Sequence, residues 1–287
     1  MKKIPIRQIT AIPQEENRAG KFKIRSLEEV LSGKALTHAL HKHDFYFILA
    51  IKNGSGFHEI DFVKYHVQAH SMFILRPGQV HQLELSADSR GFLLEFDSSF
   101  YQPKNPMAEY RWKKALSKNH CPVEEARFNK LLTYLGNCYS ENIATLEGYI
   151  DAIRANLDLF FIEYVRQSQN PNQVSYQTST YVQQRYDELR LLLEAHITQI
   201  KSVSQYAALL NLSVYQLKSI TKTSVGKTPA DLINAQIILE AKRYLLATSN
   251  QVKDIAWLLG YEDTSYFIRF FRNQTGHTPD AFRKNFN

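Results

Sequence analysis

The sequence predicts an α+β chain of two domains, a β-rich N-terminal domain finished by helices and an all-α C-terminal domain. Three observations carry this. Short β-prone runs separated by turn formers crowd residues 37–96, and apolar residues at helical spacing follow from about 104 to 166. Beyond an uncharged stretch at 167–180, one helix-turn-helix unit then occurs twice, at about 202–226 and 251–276.

Residues 1–36 are weakly patterned. Ile4, Ile6, Ile9 and Ile12 suit an edge strand or an arm, and Leu27 to Leu31 a short helical turn. The strand-like runs are Phe45–Ile51, Phe57–Ile60, Ser71–Leu75, Gln82–Leu85 and Gly91–Phe96. Asn53-Gly54-Ser55-Gly56, Pro77-Gly78 and Ser89-Arg90-Gly91 divide them. Short strands at regular spacing with turn signals between them point to a small sandwich or barrel.

After Pro103 the pattern becomes helical. Val123 to Tyr139 carries Phe128, Leu131, Leu132 and Leu135 on one face. In the next helix Leu146, Ile150, Ile153, Leu157, Phe160 and Tyr164 step by 4, 3, 4, 3 and 4, the period of a coiled-coil stripe. Packing inside one subunit uses part of such a stripe, and pairing with a second subunit uses the rest. Residues 167–180 are rich in Gln, Ser, Asn and Thr, contain Pro171, and read as a flexible linker. Residues 1–166 thus form one expected domain and 181–287 the other.

The C-terminal segment repeats itself. At an offset of 49, Tyr206-Ala207-Ala208-Leu209-Leu210-Asn211-Leu212 falls on Ile255-Ala256-Trp257-Leu258-Leu259-Gly260-Tyr261. Glu262 is inserted, and at an offset of 50 Ser213–Lys218 falls on Asp263–Ile268. The copies close on Gly226-Lys227-Thr228-Pro229 and Gly276-His277-Thr278-Pro279. A match kept through apolar, turn and exit positions marks one duplicated unit. Ser202-x-x-Gln205 has the form of a capping box, Asn211 and Gly260 suit left-handed helix ends, and Ser213 and Asp263 are good N-caps. Leu217 and Ile220, then Phe267, Phe270 and Phe271, make the inward faces. From Pro229 to Ala247 the sequence reads as one helix, which at 1.5 Å per residue is about 28 Å long. A rigid rod of that length suits two reading helices held about one DNA turn (~34 Å) apart.

These residues resemble a known family. Ile255-Ala256-Trp257-Leu258-Leu259-Gly260-Tyr261-Glu262-Asp263-Thr264-Ser265-Tyr266-Phe267-Ile268-Arg269-Phe270-Phe271-Arg272, with Thr275-Gly276-His277-Thr278-Pro279 and Phe282-Arg283, is similar to the signature of the AraC/XylS transcription regulators. The likeness covers roughly 181–287. It implies a seven-helix DNA-binding domain, an N-terminal domain that binds a small-molecule effector or dimerises, and a homodimer. His41-Lys42-His43 and Pro77-Gly78-Gln79-Val80-His81 resemble the two motifs of the cupin barrel. The fold expected is therefore an N-terminal cupin-like β-barrel with a helical dimerisation segment, followed by an all-α domain with two helix-turn-helix motifs.

Metal-binding cupins add a Glu to these histidines, and its position here is Phe47. No metal and no cofactor are therefore expected, and the histidines are placed at a pocket mouth or on the surface. His41, His43, Phe47 and His81 are the candidate effector-pocket residues. In the dimer, Leu146, Ile150, Ile153, Leu157, Phe160 and Tyr164 are the candidate contacts.

Outward positions on the reading helices are those that the core does not use. Tyr215, Lys218 and Ser219 in the first unit, with Thr264, Ser265, Ile268 and Arg269 in the second, are the candidate base contacts. Lys218 can donate to guanine N7 or O6, Tyr215 can pack on a thymine methyl, and Arg269 can grip guanine with two bonds. Lys222 and Arg272, equivalent across the repeat, are candidate phosphate clamps.

Composition bounds the function without deciding it. The formal net charge is +7, which suits a polyanionic partner. The C-terminal 107 residues hold 13 Lys and Arg against 9 Asp and Glu, so pattern rather than charge argues for DNA. Two cysteines, Cys121 and Cys138, make no disulfide framework and fit no common metal spacing. Neither a signal peptide nor a membrane span is evident, so a cytoplasmic protein is expected. The expected partners are a promoter site across two adjacent major grooves, a small-molecule effector, a second copy of the chain and RNA polymerase. No catalytic residue is assigned. The competing expectations are an effector-independent regulator with a purely dimerising barrel, and a cupin metalloprotein.

Overall fold

The computed structural model describes residues 6–7, 9, 21–167 and 178–285. The chain divides into two compact units, one within Pro5–Asn170 and one within Pro171–Asn287. The N-terminal unit runs β1 (Ile6–Arg7), β2 (Phe22–Ser26), α1 (Leu27–Leu31), β3 (Leu36–His43), β4 (Tyr46–Asn53), β5 (Gly56–Ile60), β6 (Val63–Val67), β7 (Ser71–Leu75), β8 (Val80–Leu85), β9 (Arg90–Phe96), α2 (Pro106–Ala115), β10 (His120–Pro122), α3 (Glu125–Ala144) and α4 (Tyr149–Gln167). Its strands form two five-stranded sheets, ordered β1-β3-β8-β5-β6 and β10-β7-β4-β9-β2. Among the described residues no ladder joins the two sheets, so the expected barrel takes the form of a jelly-roll-like sandwich.

The second sheet is buried on both faces. Phe47, Leu49, Ile51, Phe73, Leu75 and Leu93 pack toward the first sheet. Their neighbours Ile48, Ala50, Met72, Ile74, Leu94 and Phe96 pack in the core that α2, α3 and α4 share. Double burial explains why β4 and β7 read as unbroken apolar runs and not as alternations. Strands β2, β3 and β6 escape the sequence expectation because their exposed and half-buried positions carry Lys, Arg, Thr and His.

The apolar stripe on α4 is spent inside its own chain. Ile153, Leu157, Phe160 and Tyr164 are buried, and Ile150 packs half-buried on the same core. Leu146 precedes the helix and stands 69% exposed. The expected dimer contact through Ile153, Leu157, Phe160 and Tyr164 is thereby corrected. A helix lying on α3 and a sheet needs the same 4-3 spacing as a helix pairing with another copy, and each such side chain gains roughly 1.5–3 kcal/mol by burial. Tyr101 fastens α4 further by donating its hydroxyl to Asp158 Oδ1 at 2.6 Å. Arg154 Nε does the same from the helix side, donating to Phe100 O at 2.9 Å.

The C-terminal unit contains α5 (Thr178–His196), α6 (Val203–Leu209), α7 (Val214–Val225), α8 (Pro229–Ala247), α9 (Val252–Leu258), α10 (Thr264–Thr275) and α11 (Pro279–Asn285). The expected linker overlaps helix at both ends, since Gln167 closes α4 and Thr178 opens α5. Its residues 168–177 lie outside the described residues, as do Ile4 and Ile12 of the expected arm.

Local chemistry explains the ends of the two reading helices and the start of α8. Ser213 and Gln216 form a capping box on α7, Thr228 and Asp231 form one on α8, and Asp263 Oδ1 accepts from Ser265 N and Tyr266 N on α10. Gly226 and Gly276 close α7 and α10 in the left-handed conformation. The expected box at Ser202 and Gln205 does not form. Ser202 Oγ bonds Ser204 Oγ at 2.6 Å, because a nearer hydroxyl captures it.

α8 joins the repeats. It touches α6 and α7 of the first unit and α9 of the second, together with α11. Ile233 and Ile237 enter the core that Leu189, Leu193, Tyr206 and Leu217 share. At its far end the buried Arg283 donates Nε to Leu245 O at 2.9 Å and Nη2 to Asn250 O at 2.7 Å. A cation there meets carbonyls left open at the helix C-terminus. Phe270, expected in the second inward face, is half-buried and packs with Tyr261 against the first unit's core. Lys201 adds a further tie, donating Nζ to Gly260 O at 3.1 Å.

Gly260 is required twice over. Its φ is +72°, and a Cβ there would stand 2.6 Å from Thr198 O. Left-handed strain alone costs of order 1–3 kcal/mol. Gly260→Ala is therefore expected to lower the full chain's stability by about 2 kcal/mol or more, read by denaturant unfolding. An unchanged midpoint would show that the turn can move away from the segment before α6.

Candidate nucleic-acid interface and buried histidine cluster

Each repeat presents the second helix of its pair with an apolar back and a polar front. In α7, Leu217 and Ile220 are buried while Tyr215, Lys218, Ser219 and Lys222 are exposed. Tyr215 is 82% exposed, an unusual setting for so large an aromatic ring. In α10, Phe267 and Phe271 are buried, Ser265, Arg269 and Arg272 are exposed, and Thr264 and Ile268 are half-exposed. All nine candidate DNA contacts thus lie outside the two fully buried faces. Lys222 Nζ donates to Gly226 O at 3.3 Å, a surface bond that a phosphate oxygen can replace.

The histidines are placed quite differently from the expectation. His41 and His43 alternate with Lys42 on β3, so both point to the interior. His81 on β8 sits directly opposite His41, and His58 on β5 is one diagonal step from His81. All four are buried, with His58 and His81 at 0% exposure. The pocket-mouth or surface placement is corrected, because the pleat of three adjacent strands turns these side chains toward the second sheet. Phe47 comes from that sheet and stacks on His43 at 5.4 Å.

Hydrogen bonds link the rings. His43 Nε2 lies 2.6 Å from His81 Nε2, and His81 Nδ1 lies 2.9 Å from His58 Nε2. One consistent set of neutral tautomers has His43 donating to His81 and His81 donating to His58. His41 Nδ1 donates to Ala39 O at 2.7 Å, which leaves the lone pair of the neutral ring on Nε2. Ring nitrogens of His41, His43 and His81 lie within 4.8 Å of one another, a grouping able to hold a metal ion. Burial first, and then neighbouring histidines, hold the His58 pKa down to about 3 and that of His81 well below the usual 6.5.

Two family models match. The helix-turn-helix domain model matches residues 206–285, and the AraC-like ligand binding domain model matches residues 32–103. The chain belongs to the AraC family. It is similar to the HTH-type transcriptional activator RhaS of Pectobacterium carotovorum subsp. carotovorum (strain PC1), with 24% identity over 85% of this chain and 86% of that protein. RhaS of Escherichia coli O81 (strain ED1a) is 22% identical over 85% of this chain and 87% of that protein. Among solved structures, unsaturated fatty acid bound ToxT from Vibrio cholerae strain SCE256 covers 94% of this chain and 96% of its own, at 18% identity and a TM-score of 0.42.

This AraC-family chain is a transcription regulator with a DNA-binding helix-turn-helix domain and a domain of the ligand-binding class. Among the described residues, no helix is long and apolar enough to cross a membrane. The ligand-binding match encloses the histidine cluster. Three features were not singled out from the sequence. His58 lies outside both cupin-like motifs, and only sheet register brings it to His81. Trp257 on α9 is 74% exposed, and the repeat sets it opposite Ala208. Arg283 stood in the family-like signature, although its contacts to Leu245 and Asn250 depend on the packed fold.

The histidines make acid stability predictable in sign. Folded His58 and His81 stay neutral far below pH 6.5, whereas in the unfolded chain they bind protons near 6.5. Their contribution to stability is therefore full above about pH 6.5 and is lost as pH drops below it, by up to about 1.4 kcal/mol per pH unit for each histidine. Urea unfolding at pH 7, 6 and 5 reads this, and equal midpoints at pH 7 and 5 would refute it.

Proposed function

We propose that the chain is a promoter-specific transcription activator whose two helix-turn-helix units read successive major grooves on one side of DNA. The observation that carries this reading is the pair of capped helices α7 and α10, each with a buried back and an exposed polar front, joined by the single helix α8. A packing bundle has no use for two such fronts. The 19 residues of α8, about 28 Å, suit the repeat of the double helix.

In this reading Tyr215, Lys218, Ser219, Thr264, Ser265, Ile268 and Arg269 meet base edges, while Lys222 and Arg272 hold phosphates. The activating mode follows the likeness to RhaS activators, and RNA polymerase is the partner that activation requires. The N-terminal domain binds an effector whose unequal affinity for two states of the protein shifts their populations. A homodimer then places two such readers on one site. With the α4 stripe spent internally, the exposed Ile143, Leu146 and Leu159 of the α3–α4 pair support an outer contact in its place. The protein acts in the cytoplasm, where promoter DNA lies, and no enzymatic step is assigned to it.

Two substitutions separate reading from gripping. Arg269→Ala is expected to cost about 1–3 kcal/mol on the cognate site and to relax preference at one base pair, measured by quantitative gel shift on a variant library. Unchanged affinity for every sequence would remove α10 as a reading helix. Lys222→Ala is expected to weaken all sequences alike and to reduce the slope of log affinity against log salt by about one unit. A loss confined to the cognate site would instead make Lys222 a base contact.

A further inference from the structure

We propose that Lys201 is a positioning residue for the paired readers: its ammonium group, set on Gly260 O and the ring of Tyr261, holds α10 at one offset from α7 and so fixes how many base pairs separate the two DNA sub-sites. The proposal rests on the two-groove reading and adds to it a residue that touches neither base nor phosphate.

The segment before α6 and the turn between α9 and α10 meet closely. A Cβ at Gly260 would meet Lys201 Nζ and Thr198 O, so the contact needs glycine there. Lys201 Nζ donates to Gly260 O at 3.1 Å and stands 5.2 Å from the ring centroid of Tyr261. Burial lowers the pKa of this half-buried lysine, which marks an ammonium partly withdrawn from water, where its bonds gain strength. Tyr261 passes the grip into the reading helix. Its ring stacks on Tyr266 and Phe270 of α10, with centroids 6.0 and 5.9 Å away.

The contact lies outside the duplicated plan. By the repeat, Lys201 corresponds to Asn250 and Gly260 to Asn211. Asn250 O accepts from Arg283, and Asn211 is exposed with a φ of +54°. Lys201 thus joins the two units, whereas the contact at its counterpart stays between α11 and the loop after α8. Beside it, Tyr261 and Phe270 pack against the first unit's core. That packing draws the units together but is non-directional. A hydrogen bond to one carbonyl is directional, so it selects one register among those that apolar contact allows. The rod α8 sets the distance along its axis, and Lys201 resists rotation and sliding of the second unit about it.

The test uses the full chain and a duplex that it selects from random-sequence DNA. The two sub-sites are the base pairs at which Lys218→Ala and Arg269→Ala each relax preference. One base pair is then added or removed between them, which shifts one sub-site by about 3.4 Å and turns it by about 35°. The parent chain is expected to lose affinity about tenfold or more, as for a mismatched pair. Lys201→Met, which keeps the stem and removes the ammonium, should cut that penalty about threefold or more. Lys201→Arg, able to donate to the carbonyl and to stack on the ring, should restore it. On the unaltered duplex, Lys201→Met should leave the slope of log affinity against log salt unchanged. If Lys201→Met fails to fold, Lys201→Gln supplies the uncharged variant. A spacing penalty equal in Lys201→Met and the parent would overturn the positioning role. So would a salt slope lower by about one unit, which would make Lys201 a phosphate contact. A parent chain indifferent to spacing would instead overturn the two-groove reading, and the proposal with it.

Discussion

A helix that offers polar side chains to DNA must bury its back, and in this chain one buried rod supports both readers. α8 presents Ile233 and Ile237 to the first unit's core, and its C-terminal turn is closed by Arg283 through Leu245 O and Asn250 O. The reading helices are short, 12 residues each. Isolated helices of that length are marginal in water, so their order derives from packing and from caps. The cap on α7 is a Ser–Gln box and that on α10 is an aspartate accepting two backbone N–H groups. The duplicated unit thus repeats its logic with different side chains.

The N-terminal domain solves another packing problem. A sheet buried on both faces needs a cover on each, and here the cover is a second sheet on one side and α2, α3 and α4 on the other. The helical cover consumes the stripe on α4. The covering sheet turns four histidines inward, so polar rings meet the phenylalanines of β4 and β7. Mutual hydrogen bonding lowers the cost of burying them, and low local polarity keeps them neutral.

Much of the DNA-binding unit is legible along the chain because its signals are local. Ser213 and Gln216, Thr228, Pro229 and Asp231, and Gly226 and Gly276 each act within one turn of their own helix. The bounds of α8 follow from Thr-Pro at one end and the loss of apolar spacing at the other. The strands at Ser71–Leu75 and Phe57–Ile60 are similarly visible, being short β-prone runs between turns. Ser202 shows the limit of such reasoning, since a hydroxyl two residues on decides which bond it makes.

From its sequence alone this protein declares two repeated units, the outward positions of their second helices, the rod between them and a β-rich partner domain. Those features rest on contacts between residues a few positions apart, and so the order of residues is sufficient. Tertiary structure decided that Ile153, Leu157, Phe160 and Tyr164 belong to the core of their own subunit. It also decided that His41, His43, His58 and His81 form one buried cluster. A spacing of three and four marks an apolar face without naming what covers it, and histidines 15 to 40 residues apart meet only through sheet register. Both facts depend on which elements lie side by side, and that is settled by the packing of the whole domain.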